Sequence, residues 1–326
     1  MTATTYSWAL LRAGNFRLDG GSMFGLIPRS VWSRAALPDE RGRVGVQHNC
    51  LLLERATGTD GPKLVLIEVG TGDKLDTKSR EIFSLEERTI LDALHEVSCK
   101  PEDVGAIVTS HLHFDHSGAL TRLAKPGEKP DWHGAASSMT GGPREHGVKV
   151  TFPNAMIYTQ LREWDDALAN KSVMTRTYFK DHLEPIRERV RLVDSPRPFP
   201  SGYAAGRDEL PLTPIYNRTT PLAGVPGVSV FLTPGHTWGQ QAILFKDTRG
   251  RTVVFTPDVL PTVNHVGAAY SLGYDVEPYT SMISRHWFLE EAVLNDWLLV
   301  LDHEAGNPCQ RVRRNATGWY TLEAEG

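Results

Sequence analysis

The chain has 326 residues, 40% hydrophobic and 23% charged, an ordinary balance for a globular protein long enough to bury a full core. Its net charge of −4 leaves no electrostatic footprint for a phosphate backbone, which argues against nucleic acid as a partner, and no stretch approaches a membrane span. Three cysteines, Cys50, Cys99 and Cys309, are odd in number and far apart, which argues against a disulfide framework and against a C-x-x-C zinc site. They read as free thiols, and with no evident signal peptide the chain reads as cytoplasmic.

In chain order, the first apolar run with the length of a buried strand covers 64–69. A helix is expected from Ser84, where Ser84 and Glu87 spell a capping box and Ile90, Leu91, Leu94 and Val97 share one face. Lys100-Pro101 stops it, and a second strand follows at 106–109. Directly after that strand comes S-H-L-H-F-D-H-S-G at 110–118. Residues 125–150 are rich in Gly, Pro, Ser and charge and read as an irregular insertion, with Trp132, His133 and His146 as solvated loop residues. A strand at 155–158 and a helix over 176–191 follow, the helix with Tyr178, Phe179, Leu183 and Ile186 on one stripe. A second insertion spans 194–227. Three further strands are expected at Val228–Leu232, 252–255 and 297–301, with a helix over 281–295 that turns Leu289, Ala292 and Val293 inward. The whole reads as one domain, 1–326, with two long insertions that are candidates for a cover over a cleft or for a homodimer face.

The chemistry sits where these strands end. His111 and His113 are two apart and can point the same way, while Asp115 and His116 can face a second centre. One ion of ordinary coordination cannot use all four donors from so short a loop; two neighbouring ions can. Further ligands are then required, and three occur at equivalent strand ends: His236 in T-P-G-H-T-W-G-Q, Asp258 in T-P-D and His303 in D-H-E. His286 and His265 also lie in the C-terminal third, but His286 falls mid-helix, so His303 is preferred. Imidazole and carboxylate donors without thiolate suit zinc first, and also Mn, Fe or Co.

H-L-H-F-D-H at 111–116, T-P-G-H-T-W-G-Q at 233–240, T-P-D at 256–258 and H-E at 303–304 together resemble the metallo-β-lactamase superfamily. That resemblance implies an α/β (α+β) fold, a four-layer αββα sandwich with two divalent ions in a cleft at one edge. It places His111, His113 and His236 on the first ion and Asp115, His116 and His303 on the second, with Asp258 bridging. F-R-L-D-G-G-S-M-F-G-L-I-P-R-S-V-W at 16–32, N-C-L-L-L-E at 49–54, D-V-L-P-T-V-N-H at 258–265 and G-Y-D at 273–275 are similar to the quorum-quenching lactonases of that superfamily, which open N-acyl-homoserine lactones. Those enzymes carry a tyrosine three residues after the bridging aspartate to hold the substrate carbonyl, and here the residue is Pro261. His265, Tyr270 or Tyr274 would have to serve instead, unless the metal acts alone.

The expected reaction is hydrolysis by a water held between two ions about 3.5–4 Å apart and acidified by them. Asp115 is read as a ligand that could also pass a proton to the leaving oxygen. Met23, Phe24 and Phe114 are candidates for an apolar acyl pocket, with His265 and Tyr274 as its polar groups. The expected partner is a small lactone or ester. A phosphotriester or aryl-ester hydrolase with the same ions is the alternative, and a non-catalytic binding protein stapled by metal is the reading from another class.

Overall fold

The computed structural model describes residues 4–135, 145–174, 176–199, 218–267 and 269–326. Among these, the strands form three sheets. The first runs from edge to edge as Tyr6–Asp19, Arg43–Arg55, Leu64–Ile67, Val104–Val108, Met156–Gln160 and Val190–Val193. The second runs as Thr220–Pro221, Val228–Leu232, Gln241–Lys246, Thr252–Thr256, Leu298–Leu301, Cys309–Arg314 and Tyr320–Ala324. A small third sheet joins Thr121–Leu123, Glu145–Val150 and Trp132–Ala135.

The central strands are apolar at nearly every position because both of their faces are buried. Leu51, Leu53, Val65, Ile67, Ala106 and Val108 of the first sheet pack with Val230, Ile243, Val253, Phe255, Leu298 and Val300 of the second. The alternate residues of the first sheet, Cys50, Leu52, Leu66 and Ile107, pack with Ile90, Ala93 and Leu94 of the helix Ile90–Glu96 and with Trp164 of the helix Leu161–Leu168. On the far side, Phe231, Val254, Leu299 and Leu301 meet Trp287, Phe288, Leu289 and Ala292 of the helix Pro278–Leu294. Helix, sheet, sheet, helix: the expected αββα sandwich is present. No helix among the described residues is long and apolar enough to cross a membrane.

Several local expectations need correction. Ser84 does not start a helix; it ends Thr77–Phe83 in a left-handed conformation with φ 45°. The capping box lies five residues on, where Thr89 and Asp92 exchange hydrogen bonds at the start of Ile90–Glu96, and Val97 faces solvent. The helix expected over 176–191 is broken: four α-helical residues, Lys180–Leu183, give way to a 3₁₀ segment, Glu184–Arg189, and then to the strand Val190–Val193. Pro185 lacks the amide hydrogen that a continuing α-helix needs. Tyr178, Leu183 and Ile186 are nonetheless buried, so the apolar stripe marked packing correctly and conformation wrongly. The 125–150 insertion is not irregular throughout, since it contributes Trp132–Ala135 and Glu145–Val150 to the small sheet. His133 is therefore a strand residue, and His146 Nε2 lies 3.0 Å from Asp181 Oδ2. Most of the second insertion, 200–217, lies outside the described residues. All three cysteines are free.

The two sheets are bonded to each other at one edge. Gln47 N donates to His303 O at 3.2 Å, Asn49 N to Asp302 O at 2.9 Å, and Gln241 N to Ser110 O at 2.9 Å. The parallel pairing of Thr252–Thr256 with Leu298–Leu301 brings Thr256 opposite Leu301, so the segments that follow emerge side by side at that same edge.

Candidate metal centre

All seven candidate side chains emerge at this edge. The strand Val104–Val108 delivers His111 and His113 on the turn that follows, and Asp115 and His116 on the single helical turn Phe114–Ser117. Two glycines make the close approach feasible. A Cβ on Gly118 would lie 2.1 Å from Thr71 O, and one on Gly235, at φ 134°, would lie 2.3 Å from Ser281 N. Neither position accommodates a side chain without moving backbone.

Asp258 lies at the middle of the imidazoles. Its Oδ2 is 3.1 Å from His236 Nε2, 3.3 Å from His116 Nε2 and 3.6 Å from His111 Nε2, and its Oδ1 is 3.5 Å from His303 Nε2. His113 Nδ1 lies 3.0 Å from His236 Nε2. Donor atoms of His111, His113 and His236 form one compact set, and those of His116, Asp258, Asp302 and His303 a second, each within 4.8 Å. Asp115 Oδ2 stands slightly farther out, 3.8 Å from His303 Nε2 and 3.9 Å from His116 Nε2.

The donor set fits divalent cations on its own chemistry. Nε2 of His111, His116 and His303 is buried and has no hydrogen-bond partner, an arrangement that costs free energy unless something binds there. Two nitrogens each 2.0–2.1 Å from a tetrahedral ion stand roughly 3.3 Å apart, close to the separations seen. One proton can serve one such nitrogen pair, whereas a cation among them serves the whole set. All donors are nitrogen or carboxylate oxygen, as hard to borderline divalent ions require.

Electrostatics divides the imidazoles. Burial and then the neighbouring imidazoles push His111 and His113 well below the usual histidine range. Burial also acts against a charged His236, but Asp258 and Asp275 more than reverse it, to about 10. Asp115 and Glu68 likewise overcome burial at His116 and raise it well above its ordinary value. Burial opposes the Asp258 carboxylate, yet His236 and His303 hold it well below the carboxylate range. These directions favour protonated rings at His236 and His116 in the metal-free centre, and a metal must displace such protons. Metal uptake near pH 7 is expected to release protons, and affinity to fall as the pH is lowered. Calorimetry in buffers of different ionisation enthalpy counts them; uptake without proton release contradicts this charge assignment.

A second layer, not anticipated from the sequence, orients these rings. Asp275 Oδ1 lies 2.9 Å from His236 Nδ1, Glu68 Oε2 lies 3.2 Å from His116 Nδ1, Ser110 Oγ lies 3.0 Å from His111 Nδ1, and Gln47 O lies 3.0 Å from His303 Nδ1. Each bond occupies one ring nitrogen and so leaves the other to face the centre. Glu68 holds its place in a left-handed backbone conformation, φ 64°, which a non-glycine residue adopts only when its surroundings impose it. An acidic residue inside the apolar run 64–69 was the available signal for Glu68, and G-Y-D was that for Asp275. Asp302 was also missed: both of its oxygens are buried without a hydrogen bond among the described residues, Oδ2 lies 4.0 Å from His303 Nε2, and burial, then Asp258, raises its carboxyl well above the usual range. Asp275→Asn is expected to weaken metal binding or activity about 10- to 100-fold, read by competition with a chromophoric chelator; an unchanged affinity would remove Asp275 from the orienting layer.

The centre opens into a narrow cleft of about 50 Å³ lined by Leu18, Phe83, Phe114, Met174, Thr177 and Tyr274. Phe114 and Tyr274 thus line this cleft. Met23, Phe24 and His265 do not. Met23 and Phe24 are 1% and 2% exposed and pack with Phe16, Trp32 and Val46 behind the cleft. His265 stacks on Phe24 at 4.8 Å, and its two nitrogens lie 2.8 Å from Thr262 Oγ1 and Met23 O. Burial takes its imidazole down to about 3, which leaves a neutral core ring. A larger concavity, about 1080 Å³, lies elsewhere, beside Arg122, Asp131, Lys149, Glu184 and Arg187. These side chains are ion-paired (Arg122 with Glu128, Lys149 with Asp131, Arg187 with Glu184) and neither metal-ligating set faces it, so size does not mark the functional site.

Residues 43–303 match the sequence model of the metallo-β-lactamase superfamily. The chain belongs to that superfamily. It is 26% identical over 212 residues to an N-acyl homoserine lactonase of a Bacillus species, an alignment covering 65% of this chain and 60% of the relative. It is 25% identical over 201 residues to the N-acyl homoserine lactonase AiiA of Bacillus thuringiensis subsp. kurstaki, covering 61% and 56%. The chain thus spans about 60% of the length of the curated relatives it matches. Among solved structures, a probable metal-dependent hydrolase from Staphylococcus aureus superposes over 100% of both chains with a TM-score of 0.72 at 21% identity. AidC, a dizinc quorum-quenching lactonase, superposes over 99% of this chain and 98% of its own with a TM-score of 0.67 at 16% identity. These likenesses establish the fold.

Proposed function

We propose that this superfamily member opens the lactone ring of N-acyl-homoserine lactones, using two divalent ions, zinc first among them. The observation that carries the reading is one of arrangement: polar metal-ligating groups at the floor of a cleft whose walls, Leu18, Phe83, Phe114 and Met174, are apolar. A ligand with a compact ester head and an apolar tail matches that division. The N-acyl homoserine lactonases among the relatives support it.

His111, His113 and His236 would hold one ion, and Asp115, His116 and His303 the other, with Asp258 between them. When bound, such a pair of ions polarises the scissile carbonyl and makes water a competent nucleophile near neutral pH. The chain's own residues do the rest. Asp115, less buried than Asp258, would pass a proton to the leaving alkoxide, which stays tethered after ring opening and must be protonated before it re-closes. Tyr274 takes the part that Pro261 leaves vacant. Its ring stands 5.9 Å from that of His236, and its hydroxyl donates to Met23 Sδ at 2.6 Å, a weak acceptor that a substrate carbonyl would outcompete. Burial, then Asp258 and Asp115, raise the phenol well above its ordinary value, so it stays a hydrogen-bond donor across the working range.

Purified protein replete with zinc is expected to open homoserine lactones, with proton release following ring opening, and to prefer acylated over unacylated rings. Inert lactones beside turnover of a phosphotriester or an aryl ester would replace this substrate class with the alternative one on the same centre.

A further inference from the structure

Glu163 lies outside the ligand set, on the first turn of the helix Leu161–Leu168, and is fully buried. Its carboxylate accepts three hydrogen bonds from three separate segments. Leu112 N donates to Oε1 at 2.9 Å, Tyr178 Oη to Oε1 at 3.0 Å, and Thr237 Oγ1 to Oε2 at 2.6 Å. Leu112 lies between His111 and His113, and Thr237 directly follows His236. One carboxylate thus grips both loops that carry the first compact set of donors, each at the residue adjoining a ligand. Gly239 completes the fit, because a Cβ there would lie 2.3 Å from Glu163 N; the His236 loop lies directly on the start of this helix. The third arm, Tyr178, places its ring 5.1 Å from that of His113 and adjoins Thr177, which lines the cleft.

The second set has other supports. His116 is held by Glu68, and His303 by the carbonyl of Gln47. Among the described residues the bonds of Glu163 go to Leu112, Tyr178 and Thr237 and to neither of those segments, so its influence is confined to one side of the centre. We propose that Glu163 is a positioning residue that keeps the His111–His113 turn and the His236 loop in register for a single ion and ties that register to the Tyr178 wall of the cleft. The inference rests on the reading that His111, His113 and His236 share an ion. Hydrogen bonds from three donors to a buried carboxylate are stiff and directional. Without the carboxylate, the Leu112 amide and the Thr237 hydroxyl lose their acceptor beside the ligands, and the spacing of three nitrogens around one ion is no longer enforced.

The test is a chelator challenge of the metal-loaded holoprotein, read as metal remaining per chain by elemental analysis. Wild type is expected to lose its ions in two steps, and His236→Ala identifies the step that belongs to the first set. Glu163→Ala should move that step to about 10- to 100-fold lower chelator, as loss of an orienting partner does elsewhere, and move the other by less than about threefold. Glu163→Gln should restore most of the shift: its oxygen still serves Leu112 and Tyr178, and its amide can donate to a Thr237 hydroxyl turned to accept. If Glu163→Ala does not fold, Thr237→Val, which keeps the side chain's shape and removes one donor, carries the same expectation at about three- to tenfold. Equal movement of both steps in Glu163→Ala, or no movement of the first step in a folded variant, overturns the inference while leaving the metal reading intact. A wild-type holoprotein without two steps overturns the metal reading and this inference together.

Discussion

Stripping the metal is expected to lower the hydrolytic rate by about 10³-fold or more while the helix content by far-UV circular dichroism stays nearly unchanged. Several kcal/mol of transition-state stabilisation come from the ions in such centres, and each 1.4 kcal/mol is tenfold in rate. The fold does not depend on them in the same degree. The layers between the sheets and beneath the helices are continuous apolar clusters, and each fully buried large side chain in them contributes about 1.5–3 kcal/mol. The donors occupy one edge, outside those clusters. Zinc added back should restore the rate. A stripped protein that unfolds would instead identify the ions as structural staples and return the chain to the class of metal-held binding proteins.

The second large effect is expected at Asp258. Its two oxygens stand within 3.1–3.6 Å of four imidazoles from three separate strand ends, so it is the one carboxylate common to both sets. Asp258→Ala is expected to leave fewer than two ions bound and, by removing ions that supply several kcal/mol of transition-state stabilisation, to lower activity roughly 10²- to 10³-fold. Metal content per chain and kcat/KM on the same preparation check it. Asp115→Ala, whose oxygen approaches His116 and His303 alone, should cost the second ion and spare the first. Retention of both ions by Asp258→Ala would show that the carboxylate does not join the two sets.

The metal-ligating edge could be read from the chain because two strong signals coincide there: an apolar run that fixes a strand, and a polar donor directly after it. His111, His113, His116, His236, Asp258 and His303 all carry both, and the structure brings them together. The orienting carboxylates carry neither. Glu68, Glu163 and Asp275 are single acidic residues whose partners lie 39 to 74 positions away in three of their bonds, and no local pattern announces such a pairing. Met23 and Phe24 were ambiguous for a different reason, since an apolar side chain has the same sequence signature in a core as in a pocket. The helix starts were misplaced by similar chemistry at two neighbouring sites: Ser84 with Glu87 and Thr89 with Asp92 both offer a hydroxyl and an acid three residues apart. Only the second also has Ile90, Ala93 and Leu94 to bury. Pro185 within the 176–191 stripe was a legible breaker that the apolar period outweighed.

The backbone bonds that stitch Gln47 to His303 and Asn49 to Asp302 join positions more than two hundred and fifty residues apart. A chain emerging from the ribosome therefore carries the strand Arg43–Arg55 through the making of some two hundred and fifty further residues before the segment that completes it exists. The second set of donors, which needs His303, is therefore assembled late, once the strand Leu298–Leu301 has docked beside Thr252–Thr256.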